Sequence, residues 1–232
     1  MKKVISFALC LVSVLCLVLS SCAGKGTLTY EKDKGGYVDS KSGGVYVHAS
    51  TCYRPIAMGD EYGEMKIGEN ITYKLYAIKG METDEWLVTE SRDILYREDK
   101  KLPTLSEMKP HTLRICTTEK SGLEIARIGD RKTVEAIAQA YTSGQRVTYP
   151  MIAAEKKYTV RFDGDLLDGI CYELAYLEYA EDLEFNGENV GRFFLYDSYE
   201  KIFVPVGDEM NSVLRGTNTE TESVAAESGG LV

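Results

Sequence analysis

The side chains with which this chain could build a nucleophile and its base are few. His48 and His111 are its two histidines, and each lies beside a predicted strand edge. Cys52 follows His48 closely in His-Ala-Ser-Thr-Cys-Tyr-Arg-Pro, and a thiol beside an imidazole is the pairing that activates a cysteine nucleophile. Such a cysteine needs a depressed pKa, which a helix N-terminus supplies. Here Pro55 and the flanking tyrosine and valine residues favour strand or loop, so Cys52 is expected to lack that help. Asp163 to Gly169, Asp-Gly-Asp-Leu-Leu-Asp-Gly, begins like a calcium loop. It fails where the loop needs a glycine (Asp168) and a bidentate acid (Leu174), and reads as a wide turn with solvated carboxylates. Glu178, Glu181, Asp182, Glu184 and Glu188 are oxygen donors suited to calcium or magnesium, but acidic runs are commonly solvated faces. Among the sixteen tyrosines, Tyr172, Tyr176, Tyr196 and Tyr199 would form a stacking ladder for a glycan or peptide if their strands are neighbours. The alternative is that they edge the core. The chain contains no Gly-x-Ser-x-Gly elbow, His-Glu-x-x-His, phosphate loop or Cys-x-x-Cys, and no cofactor or metal site is assigned.

These residues would have to be positioned mainly by strands. From Tyr37 the chain reads as short β segments: two around Gly43-Gly44, then Tyr53 to Met58, Asn70 to Ile78, Glu85 to Thr89 and Ile94 to Tyr96. In Ile-Thr-Tyr-Lys-Leu-Tyr-Ala-Ile, Ile71, Tyr73, Leu75 and Ala77 share one apolar face. Trp86 is expected in a core. Leu102 to Pro110 holds two prolines and breaks any ladder through it. Beyond it, Thr-Leu-Arg-Ile-Cys-Thr and Leu-Glu-Ile-Ala-Arg-Ile flank a Glu-Lys-Ser-Gly turn. Asp130 then caps a helix over Arg131 to Ser143, with Val134, Ile137, Ala138 and Tyr141 as its apolar stripe and Gly144 as a left-handed stop. Four more strands follow, with turns at Asp163-Gly164, Asp168-Gly169 and Asn186-Gly187. Ile-Cys-Tyr-Glu-Leu-Ala-Tyr-Leu-Glu-Tyr, apolar on both faces, belongs mid-sheet. Asp208 to Leu214 is a short amphipathic closing segment. The fold class is therefore α+β and β-rich: a small β-barrel or sandwich-like domain, then an antiparallel sheet packed with one main helix.

The first 22 residues are built differently. Lys2 and Lys3 precede an apolar run from Val4 to Leu19, and Leu19-Ser20-Ser21-Cys22 presents small residues before a cysteine. The run is shorter than the roughly 20 residues of a spanning helix, and Ala23 and Gly24 provide no charged stop-transfer flank. This layout is a secretory signal peptide, and its end resembles the lipobox of bacterial lipoproteins. That resemblance implies cleavage before Cys22, a diacylglycerol on its thiol, and an extracytoplasmic protein anchored in the membrane by that lipid. The whole layout is similar to uncharacterised lipoproteins of Gram-positive type. The expected organisation is signal peptide 1–21, lipidated tether 22–36, β domain 37–101, linker 102–110, α+β domain 111–214 and disordered tail 215–232.

Composition constrains partners. The formal charge of −9 becomes −11 once Lys2 and Lys3 leave with the signal, which disfavours nucleic acid and anionic wall or lipid surfaces. Of six cysteines, Cys10 and Cys16 leave with the signal and Cys22 takes the lipid. Cys52, Cys116 and Cys171 remain, too few for a disulfide scaffold, and the last two read as buried apolar groups. The expected function is a non-catalytic envelope binding module with a cell-wall, peptide or protein partner. The alternative is a cell-envelope thiol hydrolase using Cys52 with His48 or His111; the order Cys52 then His111 would suit a papain-like peptidase. A transporter's substrate-binding component is disfavoured, because only one clear helix is found where two large α/β lobes are needed.

Overall fold

The computed structural model describes residues 25–118, 122–150 and 152–215. The expected signal peptide, the Cys22 lipidation site and nearly all of the expected disordered tail lie outside them, as does most of the Glu-Lys-Ser-Gly turn. No helix among the described residues is long and apolar enough to cross a membrane.

Short, glycine-punctuated strands fill the first half: β1 (Gly26–Glu31), β2 (Gly36–Asp39), β3 (Val45–His48), β4 (Tyr53–Pro55), β5 (Met58–Ile67), β6 (Ile71–Ile78), β7 (Trp86–Thr89) and β8 (Ile94–Arg97). All but β4 close into a barrel in the order β1-β2-β3-β8-β7-β6-β5. The seam is a parallel pairing of β1 with β5, with Gly26 opposite Gly63. A Cβ on Gly63 would stand 1.9 Å from the Gly26 carbonyl oxygen, so only glycine permits this approach. Leu28, Tyr46, Met65, Leu75, Leu87 and Leu95 fill the interior. Strand alternation explains why β6 has no plainly polar face. Tyr73 and Leu75 point into the barrel, whereas Tyr76 and Ile78 pack outward against a second, larger core. Trp86 is buried in that larger core and stacks on Tyr96.

The second half contains β9 (Pro110–Cys116), β10 (Glu124–Ile128), α1 (Arg131–Ser143), β11 (Lys156–Gly164), β12 (Ile170–Phe185), β13 (Glu188–Asp197) and β14 (Ile202–Pro205). Its strands form an antiparallel sheet in the order β10-β9-β11-β12-β13-β14. Strand β12 is central, as its apolar character on both faces requires. Asn186 and Gly187, both at positive φ, make the tight β12–β13 hairpin. The Asp130 carboxylate accepts the Thr133 amide at 3.0 Å and caps α1, whose Val134, Ile137, Ala138 and Tyr141 are buried. Helical residues 209–215 close the chain over the same core with Met210 and Leu214.

Several expectations are corrected. Residues 26–31 are not tether: they are the first barrel strand, with Leu28 fully buried. The Thr-Leu-Thr-Tyr alternation is too short to stand out beside lysine and glycine. Gly144 is no left-handed stop, since its φ is −69°; its lack of a Cβ matters because one would lie 2.1 Å from the Ala140 carbonyl oxygen. Glu178 is not on a solvated face but is buried and ion-paired to Lys156 at 3.3 Å. The Asp163 and Asp165 carboxylates are likewise engaged, by Arg114 and by Arg131. The segment 102–110, expected as a linker that breaks any ladder, buries Pro103, Leu105 and Met108, and its Pro110 is the first residue of β9, paired with Gly164.

Candidate functional site

Residues directly opposite in a sheet share a face, so the register of β9, β11, β12 and β4 determines what the sheet presents. Leu113, Ile115, Val160, Phe162, Leu174, Tyr172 and Tyr176 lie on the side that joins the α1 core. The opposite side carries Arg114 of β9 against Arg161 of β11, and Arg161 against Glu173 of β12. Strand β4 adds Arg54 opposite Cys171. Although it belongs to the first half of the chain, β4 docks on β12 at Ile170–Tyr172, ahead of the point at Ala175 where β13 begins to pair. The Glu173 amide donates to the Cys52 carbonyl at 2.6 Å and the Ile56 amide to the Gly169 carbonyl at 2.9 Å, extending that seam at both ends.

The result is an open cleft of about 260 Å³ lined by Arg54, Pro55, Ile56, Ser91, Arg92, Arg114, Arg161, Cys171 and Glu173. Arg92 enters from the β7–β8 turn of the barrel, at a positive φ of 69° that is uncommon for a bulky residue. Its Nη2 donates to the Pro55 carbonyl at 2.9 Å. Glu173 bridges two guanidinium groups, at 2.8 Å from Arg161 Nε and 3.7 Å from Arg54 Nε. Asp163 Oδ1 accepts from Arg114 Nη2 at 2.6 Å, while the buried Arg114 Nε has no partner. Burial opposes the charge on Arg161, but the Glu173 carboxylate prevails and its pKa is raised. Four arginines thus face two carboxylates. Sharing Arg54 and Glu173, a second cavity of about 180 Å³ continues along the same face past Lys157, Thr159, Ala175 and Tyr196. At the far end the sheet is covered, Val147 and Tyr149 of the chain after α1 packing on Phe203.

The residues singled out in the sequence are placed elsewhere. Tyr172 and Tyr176 are buried on the helix-facing side, and Tyr196, opposite Ala175, lies on the other. Tyr199 is exposed in the β13–β14 turn. The four form no continuous exposed ladder, because the register splits them between faces. Cys52 is buried, and burial together with a hydrogen bond to the Asp197 carboxylate pushes its thiol well above the ordinary range. Asp197 is itself buried and accepts the Tyr199 and Glu200 amides and the Tyr141 hydroxyl. His48 packs edge-on against Tyr37, and His111 sits beside Thr112 and Asp165. Cys52, Cys116 and Cys171 are all free thiols and all buried. Among the described residues no group of three or more histidine, cysteine or acidic side chains is arranged to hold a metal ion.

Sequence reading missed the arginine cleft. Its trace was there in the lone charges interrupting apolar strands, Arg114 in Leu-Arg-Ile and Glu173 in Tyr-Glu-Leu. What no local pattern announces is that β4 and Arg92 arrive from the other half of the chain. No family model matches the chain, and no curated protein or solved structure matches it.

Proposed function

We propose that the protein is a non-catalytic envelope lipoprotein, anchored through Cys22, that offers the open side of its second sheet to a ligand or partner. The observation that carries this reading is that cleft and its neighbouring cavity, formed where barrel and sheet meet and left uncovered on the side away from α1. Open, partly apolar concavities with a few converging polar groups at such junctions are where small molecules and peptides bind. The lipobox-like end of the leader supports placement outside the cytoplasm. With Cys22 as the anchor only four positions precede Gly26, the first residue of β1, a reach of about 14 Å even fully extended. The barrel would then stand at the membrane surface. A wall component, peptide or protein is the expected partner, and the net negative charge argues against nucleic acid.

The rival reading, a thiol hydrolase using Cys52 with His48 or His111, has less support. A thiol held protonated by burial and by a carboxylate lacks the nucleophilic form.

Growth with a labelled fatty acid tests the anchor: the wild-type protein should take up label and Cys22→Ala should not. Label retained by the variant, or absent from wild type, would overturn it. Cleavage of peptidoglycan or peptide that disappears on alkylation would overturn the non-catalytic assignment.

A further inference from the structure

We propose that the arginine cleft binds a compact oxyanion, a phosphate or carboxylate group carried by a small solute. This deepens the binding-module reading and rests on it.

The argument begins with charge. Arg54, Arg92, Arg114 and Arg161 come from four different elements and line one cavity, where only Glu173 among the lining residues is acidic. Adding Asp163 on Arg114 still leaves two positive charges in excess. Gathering like charges in a partly desolvated cavity is unfavourable unless something compensates them. The surplus is also out of keeping with the whole, which is acidic at −9. Guanidinium forks match the paired oxygens of carboxylate and phosphate, and converging forks are how such groups are held. Arg92 reaches this cavity from the β7–β8 turn of the barrel. There the Pro55 carbonyl engages one of its nitrogens and leaves the remaining donors of the guanidinium for a ligand.

Size and long-range field narrow the ligand. The arginine-lined cavity of about 260 Å³ lies below the range usual for drug-sized molecules, so a small solute fills it without entering the adjoining cavity of about 180 Å³. A polyanion would meet the repulsion of the whole acidic surface along its length. A small anion already inside the cleft sees chiefly the nearby arginines, because distant charges are screened beyond about 8 Å at physiological salt.

Titration calorimetry of the full-length protein, expressed with its own leader and purified in detergent, provides the test. The probes are inorganic phosphate, pyrophosphate and citrate in a chloride background. Saturable binding of at least one, with a dissociation constant below about 1 mM, is expected. Phosphate or pyrophosphate alone would identify a phosphoryl ligand, and citrate alone a carboxylate. Arg92→Gly relieves the positive φ and should remain folded by circular dichroism while weakening binding about tenfold or more. Lys101→Gln, outside the cleft, should bind as wild type. No saturable heat from any probe up to about 10 mM, or unchanged affinity in Arg92→Gly, would overturn the proposal. If no anion binds while fatty-acid labelling still depends on Cys22, the ligand class is wrong and the anchored reading stands. If anions bind while labelling is independent of Cys22, the cleft stands and the anchor falls.

Discussion

Cys171 sits in the wall of an arginine-lined cleft and yet remains a thiol. Burial raises its pKa to about 12, outweighing the lowering by Arg114 and Arg161. Cys116 is raised by the same cause. In the unfolded chain a cysteine titrates near 8.5, so between that pH and about 12 the unfolded state holds fewer protons at Cys171 than the native state. Stability from this group is therefore complete below about pH 8.5 and is lost as pH rises. Two outcomes follow. Iodoacetamide at pH 8 should leave Cys52, Cys116 and Cys171 unmodified in the folded protein and modify all three in denaturant, as mass spectrometry would read. Denaturant midpoints followed from pH 8 to 10 should fall less steeply in Cys171→Ser than in wild type. Ready alkylation of native Cys52 would revive the thiol-nucleophile reading. The burial of Cys116 and Cys171 was legible from their apolar strand neighbours. The cleft was not, since Arg54 and Arg92 are distant in sequence from Arg114, Arg161 and Glu173 and meet them only through the crossing of β4.

Among the elements, the seam between β1 and β5 decides whether the barrel closes. It is also where sequence reading was weakest. Met-Gly-Asp-Glu-Tyr-Gly-Glu-Met-Lys-Ile looks like turn chemistry, with its glycines and acids, and the sequence predicts no strand between Met58 and Asn70. Those glycines are what a strand needs at such a place. Gly63 gives the room in which the Gly26 backbone lies, and a side chain on Gly26 would collide with the Tyr62 ring. By contrast the extent, cap and apolar stripe of α1 are legible because they are local and regular, though its stop at Gly144 is not the left-handed one expected. Gly63→Ala should therefore destabilise the protein by about 3 kcal/mol or more, since it drives a methyl group into backbone rather than into a yielding side chain. Gly129→Ala, at a position with open space and ordinary φ, should change stability by less than about 0.5 kcal/mol. Urea unfolding of the two variants checks both figures. Equal stability of Gly63→Ala and wild type would mean the seam is not held as closely as described.

At the scale of the whole molecule, the two halves on either side of residues 102–110 are joined by β4. The chain leaves the barrel after β3, adds three residues to the edge of β12, and returns to the barrel as β5. Tyr53, the first residue of β4, is buried, donates its hydroxyl to the Pro103 carbonyl and packs edge-on against Tyr172 with ring centres 5.0 Å apart. The core around it takes Ile78, Trp86, Val88 and Ile94 from the barrel, and Leu113, Val160 and Ile137 from the sheet and helix. Leu105 and Met108 of the connecting segment belong to it as well. A core shared in this way cannot be exposed on one side without being exposed on the other, so barrel and sheet should unfold together. Calorimetry should give one transition whose van't Hoff and calorimetric enthalpies agree. Tyr53→Ala, which removes a buried ring and leaves the Pro103 carbonyl without its donor, should lower stability by about 3–5 kcal/mol. The decisive reading is the shape of that variant's curve. A single transition moved to lower temperature is what the shared core requires; one unmoved transition beside one displaced transition would mean that barrel and sheet are independent units and that β4 merely touches the second.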